Sequence, residues 1–446
     1  MGRRSHTRRL DLWMNGERVD QWTAGPSIQE LAYADNWVTS YLGRPLSLSL
    51  PFQPDNRPQR GQAVRAYFEN LLPDSKRILD RMARRYQARS TNAFDLLAEI
   101  GRDCVGALQL VPEGTDPGNV RRIEGIKLDN EAVAHELARV VSSESPAASP
   151  ETGEDLRLSI AGAQEKTALL WHDETWMRPI GATPTTHILK LPLGLVGHLR
   201  MDMTDSAENE WLCAQVVHAF GIPVAECKME RFGDFKTLVV TRFDRELSSD
   251  GTWFIRRPQE DMCQATGVLP DDKYESQGGP GIKQILDILE ASDTREADRR
   301  NFFKAQILFW MLANTDGHAK NFSIFLLAGG AFRLTPLYDV LSAYPVIGNG
   351  PNLVPSPDAK LAMAVRSKNA HWRLNEIHRR HWNESARRNG IGKSAEAIIA
   401  EILDETPRVI RDVQGRLPAN FPGYVAESVL GGLRDAAARL AAMPAE

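Results

Sequence analysis

Asp316 and Asn321 stand five residues apart in the stretch NTDGHAKNFSIF, directly after the apolar run AQILFWMLA. Four polar side chains beside a buried element, Asp316, His318, Lys320 and Asn321, need partners or a task, because an unpaired buried charge is costly. Asp339 follows in LTPLYDV, behind two apolar runs that flank Gly329-Gly330 and read as a hairpin. That turn returns three oxygen-bearing groups to one place. Phosphoryl transfer by kinases needs this set: one Asp orients the attacking hydroxyl, while an Asn and a second Asp hold Mg²⁺ between the ATP phosphates. The Asp-to-Asn spacing equals that of the kinase catalytic loop.

A kinase also needs a strand lysine for the ATP phosphates, and THILKLP supplies Lys190 inside an apolar run. The helical pattern that follows offers Glu208 and Glu210 as partners for it, with Glu210 preferred. Upstream, SIAGAQEKTALL places a small-residue turn, Ala161 to Ala163, where backbone N–H groups can approach phosphate. It matches neither G-x-x-x-x-G-K-[ST] nor G-x-G-x-x-G. Each piece alone has a plainer reading: Asp316 and Asn321 as turn caps, Asp339 as the N-cap of a helix over VLSAYP, Lys190 as an edge-strand charge. The chain order lysine, Asp-x4-Asn, hairpin, Asp favours the kinase reading. Lys320, inside the loop, is placed to stabilise a transferring phosphoryl group, and His318 also fits a structural histidine.

The elements that must position these residues fall into a sequence of α+β segments. The first, residues 1–141, opens with LDLWMNGERVDQW, two alternating runs around Asn15-Gly16, the dipeptide of a type I′ hairpin. In RPLSLSLPF the alternation of Leu46, Leu48 and Leu50 with serines predicts a half-buried strand, and helical spacing follows in AVRAYFENLLPDSKRILDRMARRY and NAFDLLAEIG. Residues 142–155, SSESPAASPETGED, cannot supply a core and read as an exposed linker. Residues 156–258 carry strand-like runs, RLSIAG, KTALLW, THILKLP and TLVVTRF, around the single helical pattern SAENEWLCAQVVHAFG, predicting a small sheet with one packed helix. Residues 259–446 read as mainly helical, with NFSIFLLAGGAFRLTPLYD as the one β interruption.

A chain of 446 residues with 42% apolar composition supports more than one core. Its formal charge of −4 argues against a surface built wholly for nucleic acid and leaves room for a local basic patch. Residues 366–393 hold eight Lys/Arg against two Glu, which fits phosphate contacts or a solvated helix face. The four cysteines show no metal or disulfide spacing, and no run approaches a membrane span, so a reducing cytoplasm is expected.

RPLSLSLP, ENLLPDS, FDLLAEIGRD, SIAGAQEKTALL, GATPTTHILKLP, PQEDMCQ, KYESQGGPGI, TDGHAKNFS and LTPLYDVLSA together resemble the HipA serine/threonine kinases, toxins of bacterial type II toxin–antitoxin systems. The resemblance implies a two-lobed protein-kinase-like fold, ATP and Mg²⁺ as cofactors, and transfer of the γ-phosphate to a protein serine, with glutamyl-tRNA synthetase the family's usual target and growth arrest and persistence the outcome. By motif, Asp316 is the catalytic base, Asn321 and Asp339 are the magnesium ligands, and Lys190 is an ATP-phosphate ligand. Ala161, Gly162, Ala163, Gln164, Glu165 and Lys166 form the phosphate loop, while Thr241, Arg242, Phe243, His318, Ala319, Lys320 and Tyr338 line the nucleotide site. Thr241 departs from the acidic residue expected at the adenine-side hinge.

The same resemblance makes Ser159 an autophosphorylation site whose modification ejects the phosphate loop, since a phosphate of about −1.5 to −2 charge repels bound ATP phosphates. It implies a HipB-like helix-turn-helix antitoxin and operator DNA as partners, with Arg387 and Arg388 as DNA-backbone contacts. Two other function classes compete: a small-molecule phosphotransferase with a similar Asp-x4-Asn loop, and a catalytically silent DNA-binding corepressor.

Overall fold

The computed structural model describes residues 8–25, 28–141, 159, 161–162 and 164–445. The whole linker 142–155, residues 157, 158 and 160 of RLSIAG, and Ala163 lie outside the described residues. The first sheet runs in the order β4 (Gln59–Arg60), β3 (Ile28–Tyr33), β2 (Glu17–Gly25), β1 (Arg8–Met14), β5 (Leu108–Pro112), and every pair in it is antiparallel. Asn15 and Gly16 both take positive φ, 50° and 88°, in the β1–β2 turn, as the dipeptide requires. Helices Gln62–Glu69, Lys76–Arg85 and Ala93–Ile100 accompany this sheet. Its core includes Leu12, Trp22, Phe68 and Leu97, with Trp22 stacked on Phe68 at 3.7 Å between centroids.

The segment LSLSL, residues 46–50, is a turn and not the strand its alternation predicts. Ser47 and Ser49 donate to the Gln264 carbonyl at 3.1 and 2.7 Å, and the Leu48 N–H donates to Glu260 at 2.8 Å. Leu46 and Leu50 are buried all the same. Serine hydroxyls here bind backbone across two lobes, which competes with ladder formation.

The second sheet has six strands in the order β12 (Cys227–Phe232), β13 (Phe235–Thr241), β9 (His187–Lys190), β7 (Lys166–His172), β8 (Thr175–Pro179), β6 (Gly125–Leu128). The short β10 (Gly194–Val196) and β11 (Met201–Met203) pair only with each other. Residues 125–141, grouped by sequence with the first segment, join this second sheet: β6 pairs with β8, and Val133 and Leu137 of helix Asn130–Val141 pack in its core. Helix Ser206–Ala219 is buried along most of its length and carries Glu210, which meets Lys190.

The largest core holds this helix together with Arg295–Met311, Glu396–Gln414 and Gly423–Ala442. Hairpin β14 (Arg245–Leu247) and β15 (Phe254–Arg256) leads into a three-stranded sheet of β16 (Gln259–Asp261), β17 (Ser323–Leu326) and β18 (Phe332–Leu334). The predicted β17–β18 hairpin over Gly329-Gly330 is present. It is not the only β interruption of the helical lobe, because β19 (Lys360–Arg366) and β20 (Ala370–Arg373) form another, driven by the buried run Leu361–Val365. No helix follows Asp339; residues 340–343 are irregular and a short 3-10 turn begins at Tyr344.

Candidate active site

One cavity of about 210 Å³ gathers Gly162, Gln164, Lys166, Lys190, Thr241, Phe243, Asp316, His318, Lys320, Asn321, Tyr338 and Asp339. It lies between the second sheet and the helical lobe. Helix Arg295–Met311 ends in a left-handed Ala313 (φ 50°), whose carbonyl accepts from the Ala343 N–H at 3.0 Å, and the chain then turns into the loop. Gly317 is required there, since a Cβ would lie 2.6 Å from the Phe309 ring. Asn321 donates through Nδ2 to the Asp316 carbonyl at 3.0 Å and the Asp339 carbonyl at 3.5 Å. One amide thus ties the two acidic segments together.

Lys190 is buried and bonds Glu210 Oε1 at 2.6 Å and the Asp339 carboxylate, while Glu208 pairs instead with Lys236 at 2.7 Å. The choice of Glu210 over Glu208 matches the geometry. Desolvation pushes the Glu210 carboxyl up against the pull of Lys190, whereas Lys190 and Lys166 hold Asp339 well below the usual carboxylate range despite its burial. The two acids sharing one ammonium are pushed apart in proton affinity. Asp339 itself sits at φ 56°, a region that Asp tolerates better than most side chains.

Lys166 donates to the Ala161 carbonyl at 2.6 Å, closing the turn expected to form the phosphate loop, and Gly162 has φ 107°. Asp316 accepts a hydrogen bond from the Tyr274 phenol, whose ring meets His318 edge-on at 5.1 Å between centroids. Burial lowers the His318 pKa, which favours the neutral imidazole. Tyr338 donates to the Lys320 carbonyl at 2.8 Å, fixing the loop from behind.

Several expected residues stand elsewhere or are otherwise engaged. Glu165 points away from the cavity and pairs with Arg77 at 3.0 Å and with Arg81. Ala319 is buried in the core and does not line the cavity. Arg242 reaches the cavity wall, but its guanidinium is committed to Asp103, Asp244, Thr185 and the Cys104 carbonyl. Ser159 is not in a strand; it is fully buried and donates to the Leu71 carbonyl at 2.7 Å. Arg387 and Arg388, on helix Arg379–Arg388, are exposed and both bond Glu384, at 2.7 and 2.6 Å.

The sequence reasoning missed Asp74, Asp261 and Lys273, which also line the cavity. Only the motif strings ENLLPDS, PQEDMCQ and KYESQGGPGI carried any signal of them. No cluster of three or more His, Cys, Asp or Glu side chains suited to a metal occurs among the described residues. Asn321 and Asp339 nonetheless fit a small hard cation, because Mg²⁺ takes one or two protein oxygens and completes its octahedron with phosphate and water.

Family models match the two ends of this architecture: the HipA N-terminal domain over residues 10–111 and the HipA-like C-terminal domain over residues 158–410. A relative from Sinorhizobium fredii, named "Putative kinase Y4mE", is 32% identical over 413 residues, covering 91% of each chain. The serine/threonine-protein kinase toxin HipA of Shewanella oneidensis is 30% identical over 322 residues, covering 70% of this chain and 69% of that one. A solved Shewanella oneidensis structure, of HipA with HipB and operator DNA, superposes with a TM-score of 0.76 at 22% identity over 97% of both chains. The α+β, two-lobed arrangement described above is thus a kinase-like fold, and the chain belongs to the HipA family.

Proposed function

We propose that this chain is an ATP- and Mg²⁺-dependent serine/threonine protein kinase toxin, acting in the cytoplasm and silenced by a HipB-like antitoxin with which it binds operator DNA. The observation that carries the reading is the meeting of Lys190, Asp316, Asn321 and Asp339 on one cavity. A silent corepressor would have no need to keep all four. In this reading Asp316 receives the proton of the acceptor hydroxyl, and Lys190, set by Glu210, orients the nucleotide phosphates. Asn321 and Asp339 would hold Mg²⁺, which supplies charge neutralisation between the phosphates when bound.

Ser159 is the proposed autophosphorylation site. Its burial against Leu71 supports a switch that moves the segment: the hydroxyl must leave its pocket to be modified, and a dianionic phosphate cannot return to a fully buried position without a partner charge. The division of the chain into 1–141, 142–155, 156–258 and 259–446 is proposed with one change: residues 125–141 pack with the second sheet and go with 156–258. Arg387 and Arg388 are proposed DNA-backbone contacts, each sharing Glu384 until phosphate replaces it.

The test incubates purified protein with labelled ATP, Mg²⁺, glutamyl-tRNA synthetase and its tRNA, beside Asp316→Asn. Label on the synthetase from the wild type alone supports the reading. Absence of label on any protein, the kinase included, while DNA binding with a helix-turn-helix partner persists, sinks it.

A further inference from the structure

The N-terminal lobe reaches into the cavity. Asn70, Leu71 and Asp74 lie on the connection between helices Gln62–Glu69 and Lys76–Arg85, and all three line the same space as Asp316 and Asp339. Asp74 carries the only carboxylate that this lobe contributes among the described lining residues. Its Oδ1 accepts from Lys320 at 2.8 Å and its Oδ2 from Lys273 at 2.7 Å. The side chains are 12% exposed for Asp74, 4% for Lys320 and 15% for Lys273, so the cluster sits inside the wall and not on the rim.

Two ammonium groups bond one carboxylate, and Asp261, which lines the same cavity, adds a second acidic group that interacts with Lys320. Both ammonium groups border a cavity that also holds Lys166 and Lys190 and is suited to a polyanion. Neither lysine is spare packing: Lys320 belongs to the loop between Asp316 and Asn321, and Lys273 precedes Tyr274, whose phenol bonds Asp316. The backbone adds a further tie, because the Asp74 N–H donates to the Gly162 carbonyl of the phosphate loop at 3.3 Å. The lysines hold the Asp74 carboxyl down at about 2, so it is ionised throughout the neutral range.

We propose that Asp74 is a positioning residue for phosphoryl transfer, holding Lys320 and Lys273 so that both ammonium groups meet the terminal phosphate of a bound nucleoside triphosphate. The N-terminal lobe is then part of the active site, and Lys273 is a second cation for the transferring group. This rests on the phosphotransfer reading above. Fixed cations aimed at charge that builds up in the transition state act on kcat more than on ground-state binding.

The experiment measures initial rates of label transfer from ATP to protein over a range of ATP concentrations for wild type, Asp74→Asn, Asp74→Glu, Lys273→Met and the Asp74→Asn/Lys273→Met double variant. Asp74→Asn and Lys273→Met are each expected to lower kcat by about tenfold or more with KM for ATP within about threefold, and the double variant to lose little beyond Asp74→Asn, as expected of groups acting as a unit. Asp74→Glu should recover part of the rate. Wild-type kcat in Lys273→Met, or losses in the two single variants that multiply in the double, overturns the proposal. A loss in Asp74→Asn that tracks the fraction of unfolded protein, read by circular dichroism, does the same. A wild type that transfers no label removes the phosphotransfer reading itself and this inference with it.

Discussion

The phenol of Tyr274 donates a hydrogen bond to Oδ1 of Asp316, the proposed catalytic base. Burial and the neighbouring Asp316 charge raise the Tyr274 pKa above its ordinary value, so the phenol stays a donor at neutral pH. An acceptor serine must share or displace that donor. Tyr274→Phe removes the competitor and keeps the ring against His318. With one hydrogen bond worth about 1 kcal/mol, KM for the protein acceptor should fall by about fivefold while KM for ATP stays level. Steady-state kinetics with acceptor varied at saturating ATP reads this out, and a higher acceptor KM would show that the phenol orients Asp316 without competing.

Beside Thr241, at the expected adenine-side hinge, five charged side chains are buried together. Asp103 meets Arg245 at 2.8 Å, Arg242 at 3.3 Å and Arg256 at 3.5 Å, and Asp244 meets Arg242 at 2.9 Å and Arg245 at 3.0 Å. Asp103 comes from the N-terminal lobe, and its carboxyl also accepts from the Thr185 N–H and hydroxyl at 3.0 and 2.7 Å. Asp103→Asn would leave three guanidiniums against one carboxylate. Breaking a buried ionic group from one side costs about 3–5 kcal/mol. Urea denaturation of Asp103→Asn should show that loss, and a midpoint near wild type would mean that water reaches the cluster.

Glu260 makes the stability of the fold depend on pH. It is fully buried where the first lobe meets β16, accepts the Leu48 N–H at 2.8 Å, and has no partner for Oε2. Desolvation pushes its carboxyl up from 4.5 to about 8. A raised folded-state pKa means that the folded chain keeps a proton that the unfolded chain has released. The contribution of Glu260 is therefore complete below pH 4.5 and is lost as pH rises to about 8. Within that window the wild type should lose about 1.4 kcal/mol per pH unit relative to Glu260→Gln. Unfolding curves of both proteins at several pH values check the slope, which is the readout whatever the offset between them.

The site was legible where local pattern and chemistry coincide. Lys190 lies on a strand, Asp316 and Asn321 have a diagnostic spacing, and Gly329-Gly330 announces the hairpin that brings Asp339 back. Asp74 was not legible, because its partners Lys273 and Lys320 are 199 and 246 residues away and Pro73-Asp74 by itself reads as a turn. The ion pairs of Arg242 were not legible for a related reason. Its place beside the hinge suggests a nucleotide ligand, but Asp103 from another lobe claims its charge. The LSLSL alternation misled because period 2 alone does not show where serine hydroxyls go, and here they hold the Gln264 carbonyl. What failed was long-range pairing, which no window of the sequence contains.

Gly162 tests whether the shape of the phosphate loop matters for nucleotide binding. Its φ of 107° is a conformation L side chains rarely adopt, and an added Cβ would lie 2.5 Å from the Lys166 ammonium. Lys166 can swing aside only by giving up its bond to the Ala161 carbonyl, so Gly162→Ala strains the backbone and unlatches the loop together. The Gly162 carbonyl also accepts from Asp74, which ties any shift of the loop to the first lobe. Strain of this kind costs about 1–3 kcal/mol. In the proposed reading the loop stands against the ground-state phosphates, so the loss should appear in nucleotide affinity: KM for ATP rises roughly fivefold to a hundredfold, at about tenfold per 1.4 kcal/mol, with a smaller change in kcat. Titration of a fluorescent ATP analogue into both proteins measures it directly. Equal affinity would mean that the backbone of 161–166 does not meet the phosphates, and would leave Lys190 and the lysines held by Asp74 to bind them.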